Sequence, residues 1–309
     1  MRSLPGHQYS SLAPSKTNLY SPVFKSSNRL FGRKCMITGG TSGIGFAIAQ
    51  RFLKEGASSI ILVGRSIDRL EAAASQLRSS VKSISNNDTE SDNSDTDSSD
   101  AHASEKIRLL VGDVSDVGPL MRELEKELAS VDILVNAAGI SHNNILAKSD
   151  VSDISKILRT NLEGAILTSR AFMRAIIRIR VRHRGEAARH NPSKCIINVS
   201  SLLALKAGTG AVPYAASKAG LLGLTRSLTV EASASLRNVA IRSNAIVPGY
   251  IETPMISNFS DGEKERLKEL IPLHRLGDPQ EVADAAVFLA QNEYANNCVL
   301  NLDGGLSAV

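Results

Sequence analysis

Thr38-Gly39-Gly40-Thr41-Ser42-Gly43-Ile44-Gly45 joins a short apolar run, Cys35-Met36-Ile37, to a stretch with helical periodicity from Ile44 to Lys54. Glycines at such a junction permit a tight turn, let the backbone approach a phosphate and allow a helix to pack closely on a strand. A helix that starts there offers free N–H groups and the positive end of its dipole to a pyrophosphate. A glycine run by itself also occurs in plain turns. What gives this one weight is its place at the first strand–helix junction of a regular alternation.

That alternation runs to the end of the chain. Ile60–Val63, Ile107–Val111, Ile133–Val135, Ile196–Val199, Val239–Val247 and Val299–Leu302 read as further short buried strands, and a helix is expected from Ile67 to about Val81. Apolar strands separated by amphipathic helices predict a parallel sheet covered on both faces. The expected fold is a single doubly wound α/β domain over residues 33–309, with about seven strands.

Two segments break the rhythm. Residues 83–105 are polar and acidic and lack the apolar surface that would offset ordering, so a disordered surface loop is expected. Residues 178–194 carry Arg178, Arg180, Arg182, Arg184 and Arg189, and are expected to extend a helix and then loop back to the strand at Cys195. At the other end, the first acidic residue is Glu55, whereas Arg2, Lys16, Lys25, Arg29, Arg33 and Lys34 precede it among many serines. Residues 1–32 therefore read as a disordered leader of organelle-transit composition, more mitochondrial than secretory because no apolar core region appears. The alternative is a tail without targeting value, and Pro5, Pro14 and Pro22 interrupt any long amphipathic helix.

Composition excludes several classes. No uncharged apolar run approaches the ~18 residues of a membrane span. The net charge of +5 is modest and Trp is absent, which argues against a nucleic-acid stacking surface. Cys35, Cys195 and Cys298 are odd in number and far apart, so neither a disulfide framework nor a metal site is expected.

Tyr214 and Lys218 are four apart in Tyr-Ala-Ala-Ser-Lys, a spacing that stacks two side chains on one helix face. A phenol normally titrates near ~10. A fixed ammonium beside it is expected to lower that value and suit it to general acid–base work. Taken alone, the pair equally describes a half-buried Tyr beside a solvated Lys.

With Thr-Gly-x-x-x-Gly-Ile-Gly at Thr38–Gly45, Asn136-Ala137-Ala138-Gly139 after the fourth strand and Tyr-x-x-x-Lys downstream, the chain resembles the short-chain dehydrogenase/reductase family from about Arg33 to its end. The resemblance implies a Rossmann fold. It implies a dinucleotide held by Gly39, Thr41, Ser42, Gly43, Ile44 and Gly45, with Asp113 and Val114 at the adenine ring. Asn136, Ala137 and Gly139 would support the sheet and the cofactor. Pro248, Gly249, Ile251 and Thr253 would engage the nicotinamide carboxamide. Ser201, thirteen residues before Tyr214, fits the family's active-site serine better than Ser200, and Asn161 in Thr-Asn-Leu-Glu-Gly matches its catalytic asparagine. In these roles Lys218 lowers the Tyr214 pKa and binds the nicotinamide ribose, while Ser201 donates to the substrate oxygen. Asn161 holds a proton-relaying water.

An acidic residue after the second strand would favour NAD, and Arg a 2′-phosphate. Val63-Gly64-Arg65-Ser66 carries no carboxylate, so NADPH is expected. Tyr214–Leu228, Pro248–Met255, Ile271–Gly277, Pro279–Ala283 and Asp303-Gly304-Gly305 are most similar to 3-oxoacyl-[acyl-carrier-protein] reductases. Acyl carrier protein is then the expected partner, with Arg178, Arg180, Arg182, Arg184 and Arg237 as a steering patch. The family also implies a homotetramer, for which Leu162, Ile166, Phe172, Met173, Ile176 and Ile177 form an apolar stripe. Where family members usually carry Gly-Gln before the last strand, this chain has Asn296-Asn297-Cys298. A broad carbonyl or quinone reductase and a non-catalytic cofactor-binding subunit remain the alternatives.

Overall fold

The computed structural model describes residues 27–85, 106–116, 118–182, 193–235, 239–257 and 259–309. Most of the acidic stretch and part of the basic one lie outside these residues. Seven parallel strands are joined by helices: β1 Lys34–Thr38, α1 Gly43–Lys54, β2 Ser59–Gly64, α2 Ile67–Ser85, β3 Ile107–Val111, α3 Pro119–Leu128 and β4 Ile133–Asn136. They continue as α4 Val151–Leu158, α5 Gly164–Arg182, β5 Lys194–Val199, α6 Val212–Ser235, β6 Ile241–Pro248, α7 Asp261–Leu270, α8 Pro279–Gln291 and β7 Val299–Leu302.

The strand order β3-β2-β1-β4-β5-β6-β7 makes this a doubly wound α/β sheet. Leu70, Ala74, Leu77, Ile48, Phe52, Val282 and Ala286 bury α1, α2 and α8 on one face. Leu124, Leu128, Phe172, Ile176 and Ala232 bury α3, α5 and α6 on the other. Central strands enclosed on both sides are mostly apolar, which is why they read as apolar runs, and their buried polar residues, Asn136, Asn198, Arg242 and Asn244, are hydrogen-bonded internally. The chain reverses direction across the sheet between β1 and β4, and an α/β sheet opens its crevice at such a switch point.

The fold begins earlier than the boundary at residue 33 expected from composition. Leu30 is 1% exposed, its N–H bonds Glu55 O at 2.8 Å, and Arg29 pairs with Glu55 at 2.6 Å and with Asp284 at 3.1 Å. An acid-free stretch can still dock when its partners' carboxylates lie far along the chain. Two element ends also move outward: α2 continues to Ser85 rather than Val81, and β5 starts at Lys194. Before β7, Asn297 takes φ 57°, a left-handed position that Asn tolerates better than most side chains. The Asn296 side chain accepts from Ser243 N at 3.0 Å. Asparagines thus build the turn before β7.

The apolar stripe on α5 divides. Phe172, Met173 and Ile176 belong to the core, whereas Ile166, Ile177 and Val181 are exposed. Cys35 and Cys195 are buried free thiols, and burial pushes both up in pKa. No metal-ligand cluster and no helix long and apolar enough to cross a membrane occurs among the described residues.

Candidate active site

The crevice is built first by glycines. Gly39 has φ 69°, and a Cβ there would lie 2.7 Å from Ala138 Cα. Only a bare backbone can pass that close to the turn after β4. A Cβ on Gly45 would meet Gly39 O at 2.5 Å, so the helix N-terminus sits directly on the turn. Ser42 caps α1 without a side-chain bond to its amides, which leaves the first-turn N–H groups available. Thr38 Oγ1 accepts from Ala137 N and Ala138 N at 3.2 Å each, tying the two walls together at the switch point.

Asn136 is 4% exposed, and its side chain turns into the protein. Its Nδ2 donates to Asn198 Oδ1 at 2.9 Å and Ser169 Oγ at 3.1 Å, and its Oδ1 accepts from Thr168 Oγ1 at 2.7 Å. Asn198 continues the chain to Thr225 on α6 at 2.9 Å. The asparagine therefore braces β4, β5, α5 and α6, and the chain after it, Ala137 to Gly139, forms the crevice wall.

Asn161, Ser201, Tyr214 and Lys218 meet where β4, β5 and α6 converge. Asn161 lies in a π-turn, Arg159–Glu163, between α4 and α5. Its amide is fixed by Ile140 on both sides, accepting from N at 2.8 Å and donating to O at 2.9 Å. It also donates to Ser217 Oγ at 3.1 Å. Single π-turns inside helices commonly mark functional positions. A Cβ on Gly139 would stand 3.3 Å from Lys218 Nζ and 3.6 Å from Asn161 Oδ1, so the glycine keeps the space between them open.

Tyr214, Ser217, Lys218, Leu221 and Thr225 are the buried face of α6, as their three- and four-residue spacing dictates. Ser200 and Ser201 separate clearly. Ser200 is buried and donates to Lys218 O at 2.7 Å, whereas Ser201 is the serine hydrogen-bonded to the Tyr214 side chain.

The electrostatics differ from the sequence expectation. Burial pushes the Tyr214 hydroxyl above its ordinary value, and the bond to Ser201 pulls only partly back. Lys218 does not offset that rise. Its Nζ lies 5.7 Å from the Tyr214 ring centroid and donates to Val199 O at 2.8 Å. Burial also lowers Lys218, to about 8. Desolvation outweighs the attraction between the two because both groups are withdrawn from water.

Arg65 and Asp113 face each other beyond β2 and β3 at 3.9 Å, both partly exposed. Arg69 Nη2, missed from the sequence, donates to Ser42 Oγ at 3.3 Å and places a second guanidinium beside the glycine turn. Its signal was available: it lies one helical turn after Arg65. Val114 is buried against Gly164, where a Cβ would stand 2.7 Å from its Cγ2. On the other rim, Pro248 ends β6, Thr253 Oγ1 donates to Ile251 O at 3.3 Å, and Thr253 Cβ stands 3.4 Å from a Cβ built on Gly43. Gly39, Gly43, Gly45, Gly139, Asn161, Lys218 and Thr253 thus lie within close reach of one another or of the turn after β4, while the Asn136 and Val114 side chains pack inward.

A profile described as short chain dehydrogenase matches residues 33–107, and one described as enoyl-(acyl carrier protein) reductase matches residues 81–307. A 3-oxoacyl-[acyl-carrier-protein] reductase from Bos taurus is 35% identical over 272 residues, 88% of this chain and 97% of that protein. One from Aquifex aeolicus is 32% identical over 282 residues, 90% of this chain and 98% of that protein. Among solved structures, a gluconate 5-dehydrogenase from Burkholderia cenocepacia in complex with NADP and tartrate superposes with TM-score 0.73 at 25% identity, covering 92% of this chain and 98% of that one.

Proposed function

The chain belongs to the short-chain dehydrogenase/reductase family, and from that membership we propose that it reduces a 3-oxoacyl thioester on acyl carrier protein to the 3-hydroxyacyl thioester, using NADPH, in fatty acid biosynthesis. The observation that carries the reaction type is the convergence of Ser201, which pulls on the Tyr214 hydroxyl, with Tyr214 and the buried Lys218 ammonium, 5.7 Å from the Tyr214 ring centroid. The substrate class rests on the shared name of the relatives.

The crevice fits a dinucleotide, because a Cβ on Gly39 or Gly45 would collide with backbone and the uncapped N-terminus of α1 suits a pyrophosphate. Gly43 and Ile44 amides, with Thr41 and Ser42, would hold the phosphates. Asp113 and Val114 would border the adenine. Arg65, with Arg69, would take the 2′-phosphate, and Pro248 to Thr253 the carboxamide. Bound there, NADPH supplies the hydride.

Ser201 donates to the substrate's keto oxygen and stabilises the charge that develops on it. Tyr214 gives that oxygen its proton. The hydroxyl, which burial moves further above its ordinary value, is protonated at neutral pH, the state a reductase needs at the start. As the proton leaves, the Lys218 ammonium stabilises the tyrosinate, and Asn161 would hold the water that returns a proton through Lys218. Ketone reduction, rather than the enoyl reduction named by one profile, is favoured by the shared 3-oxoacyl reductase name of the relatives.

NADPH oxidation with acetoacetyl carrier protein, compared with a 2-enoyl thioester, free ketones and quinones, tests this. Turnover of the oxoacyl thioester alone is expected. Preference for free ketones or quinones would establish the broad reductase, and no turnover would establish a non-catalytic subunit. Carrier docking is proposed at the basic end of α5. Arg178 there pairs with Glu125, while the side chains of Arg180, Arg182, Arg184 and Arg237 lie outside the described residues. In the same assay, charge reversal at Arg182 and Arg184 should raise the KM for carrier-bound substrate and spare free thioesters. Equal effects on both would remove the docking surface.

Arg65→Asp is expected to weaken NADPH binding by about 10- to 100-fold, the loss of a charge-assisted contact, with NADH affinity maintained. Titration of both nucleotides checks this, and an unchanged NADPH Kd would reassign the 2′-phosphate. Exposed Ile166, Ile177 and Val181 on α5 and Val230 on α6 support a homotetramer, and the acid-free leader supports mitochondrial delivery. Solution mass and the destination of a fluorescent fusion to residues 1–32 are the corresponding measurements.

A further inference from the structure

Ser201 opens a short 3-10 turn, Leu202–Ala204, and its hydroxyl accepts from Leu203 N at 3.2 Å. Leu205 N and Lys206 N both close back on Leu202 O at 2.9 Å. Lys206 is thus the last residue locked into the turn that carries Ser201. Its side chain then leaves the loop and crosses to residues 100 and 103 positions away, donating to Leu306 O at 2.8 Å and to Val309 O.

The segment it reaches is itself fixed. The Asp303 carboxylate accepts from Gly305 N and Ser307 N at 2.9 Å each, and Gly304 and Gly305 take φ 64° and 91°. Leu306 is buried with Leu202 and Ile271, against Tyr250 and Leu276. At its start, Asp303 presses on the opposite rim, where a Cβ on Gly249 would lie 2.8 Å from Asp303 Cα. Residues 303–309 therefore touch the loop after Ser201 and the Pro248–Thr253 segment together.

We infer that Lys206 is a positioning residue for the reaction: its bonds to the main chain of Leu306 and Val309 hold the Ser201 turn in register with the rim that carries Ile251 and Thr253. The inference rests on the proposed role of Ser201. The physical reason is direction. Apolar contact between Leu202 and Leu306 sets a distance but is non-directional, whereas ammonium–carbonyl bonds fix orientation. A hydroxyl that must meet a developing charge tolerates little displacement. The cluster of Leu202, Ile271 and Leu306 remains when the ammonium is removed, so the fold does not depend on Lys206 for its packing.

Lys206→Met keeps the stem and removes the donors, and Lys206→Arg retains donors. In the full-length protein, Lys206→Met is expected to lower kcat by about tenfold, with NADPH Kd and Tm unchanged. Amide exchange at residues 200–206 should speed up, and Lys206→Arg should restore both. Unchanged kcat, a loss in KM alone, or unchanged exchange in Lys206→Met would each overturn the inference. The exchange measurement needs no turnover. A chain that fails to reduce carbonyls therefore refutes the proposed reaction without deciding the Lys206 contact.

Discussion

Replacing Tyr214 with Phe is expected to lower kcat by about 10²- to 10⁴-fold, the usual contribution of a positioned proton donor, while NADPH Kd stays near that of the parent. Phe keeps the ring and its contacts. It removes the hydroxyl bonded to Ser201, and with it the proton that a reduced carbonyl oxygen must receive. The pH profile supplies the control. Lys218 carries its charge below about 8, so the support it gives a forming tyrosinate is full at neutral pH and is lost as pH rises through that value. The parent's kcat should therefore fall above about 8, and the residual rate of Tyr214→Phe should show no such fall. A Tyr214→Phe enzyme with near-parental turnover would transfer the donor's role elsewhere, and a parent rate that climbs through pH 8 to 9 would reverse the assignment of Lys218.

Gly39→Ala is expected to damage stability and cofactor binding together. The substitution forces φ 69° on a residue with a Cβ, costing about 1–2 kcal/mol by itself. It also places that carbon 2.7 Å from Ala138 Cα, 2.8 Å from Ala138 N and 2.9 Å from Ala137 O. All three neighbours are backbone, held by Thr38 Oγ1 through the amides of Ala137 and Ala138. They cannot step aside as a side chain would. A total loss of about 2–4 kcal/mol follows, read as a drop in Tm of roughly 5–10 °C. Because relief must come by moving the turn away from β4, NADPH affinity should fall at least about tenfold. Gly262→Ala is the comparison: it lies in α7 with nothing within 4 Å of its added Cβ, and should be neutral or stabilising by up to about 1 kcal/mol. Equal behaviour of the two variants would mean that close approach at the switch point has no special importance.

Much of the site was legible because its chemistry is local. Tyr214 and Lys218 share one face of α6 by spacing alone, Gly39 to Gly45 declare a tight turn, and Arg65 declares itself by the carboxylate it replaces. The distinction between Ser200 and Ser201 was only half legible. Adjacent residues point in different directions, and which hydroxyl faces Tyr214 depends on where α6 lies against β5. Asn136 was placed correctly along the chain, but its side chain works inward, bonding Asn198, Ser169 and Thr168. Those partners become neighbours only when β4, β5 and α5 pack.

The leader boundary failed for the same reason. Composition marks residues 27–32 as tail, yet Glu55 and Asp284 hold Arg29 from 26 and 255 positions away. The direction of the Tyr214 shift went astray because a spacing says that two groups are close but not how deeply both are buried. With the phenol and the ammonium both withdrawn from water, desolvation decides.

The amino-acid sequence by itself determined the alternating strands and helices, the glycine turn, the Tyr214–Lys218 spacing and the missing carboxylate after β2. Each is written in spacing, periodicity or residue type within a few consecutive positions. Only the tertiary structure decided which serine meets the tyrosine, that burial raises rather than lowers the tyrosine's pKa, and that Lys206 ties the Ser201 turn to the final residues. These are contacts and dielectric environments created when distant segments close on one another, and no local pattern encodes them.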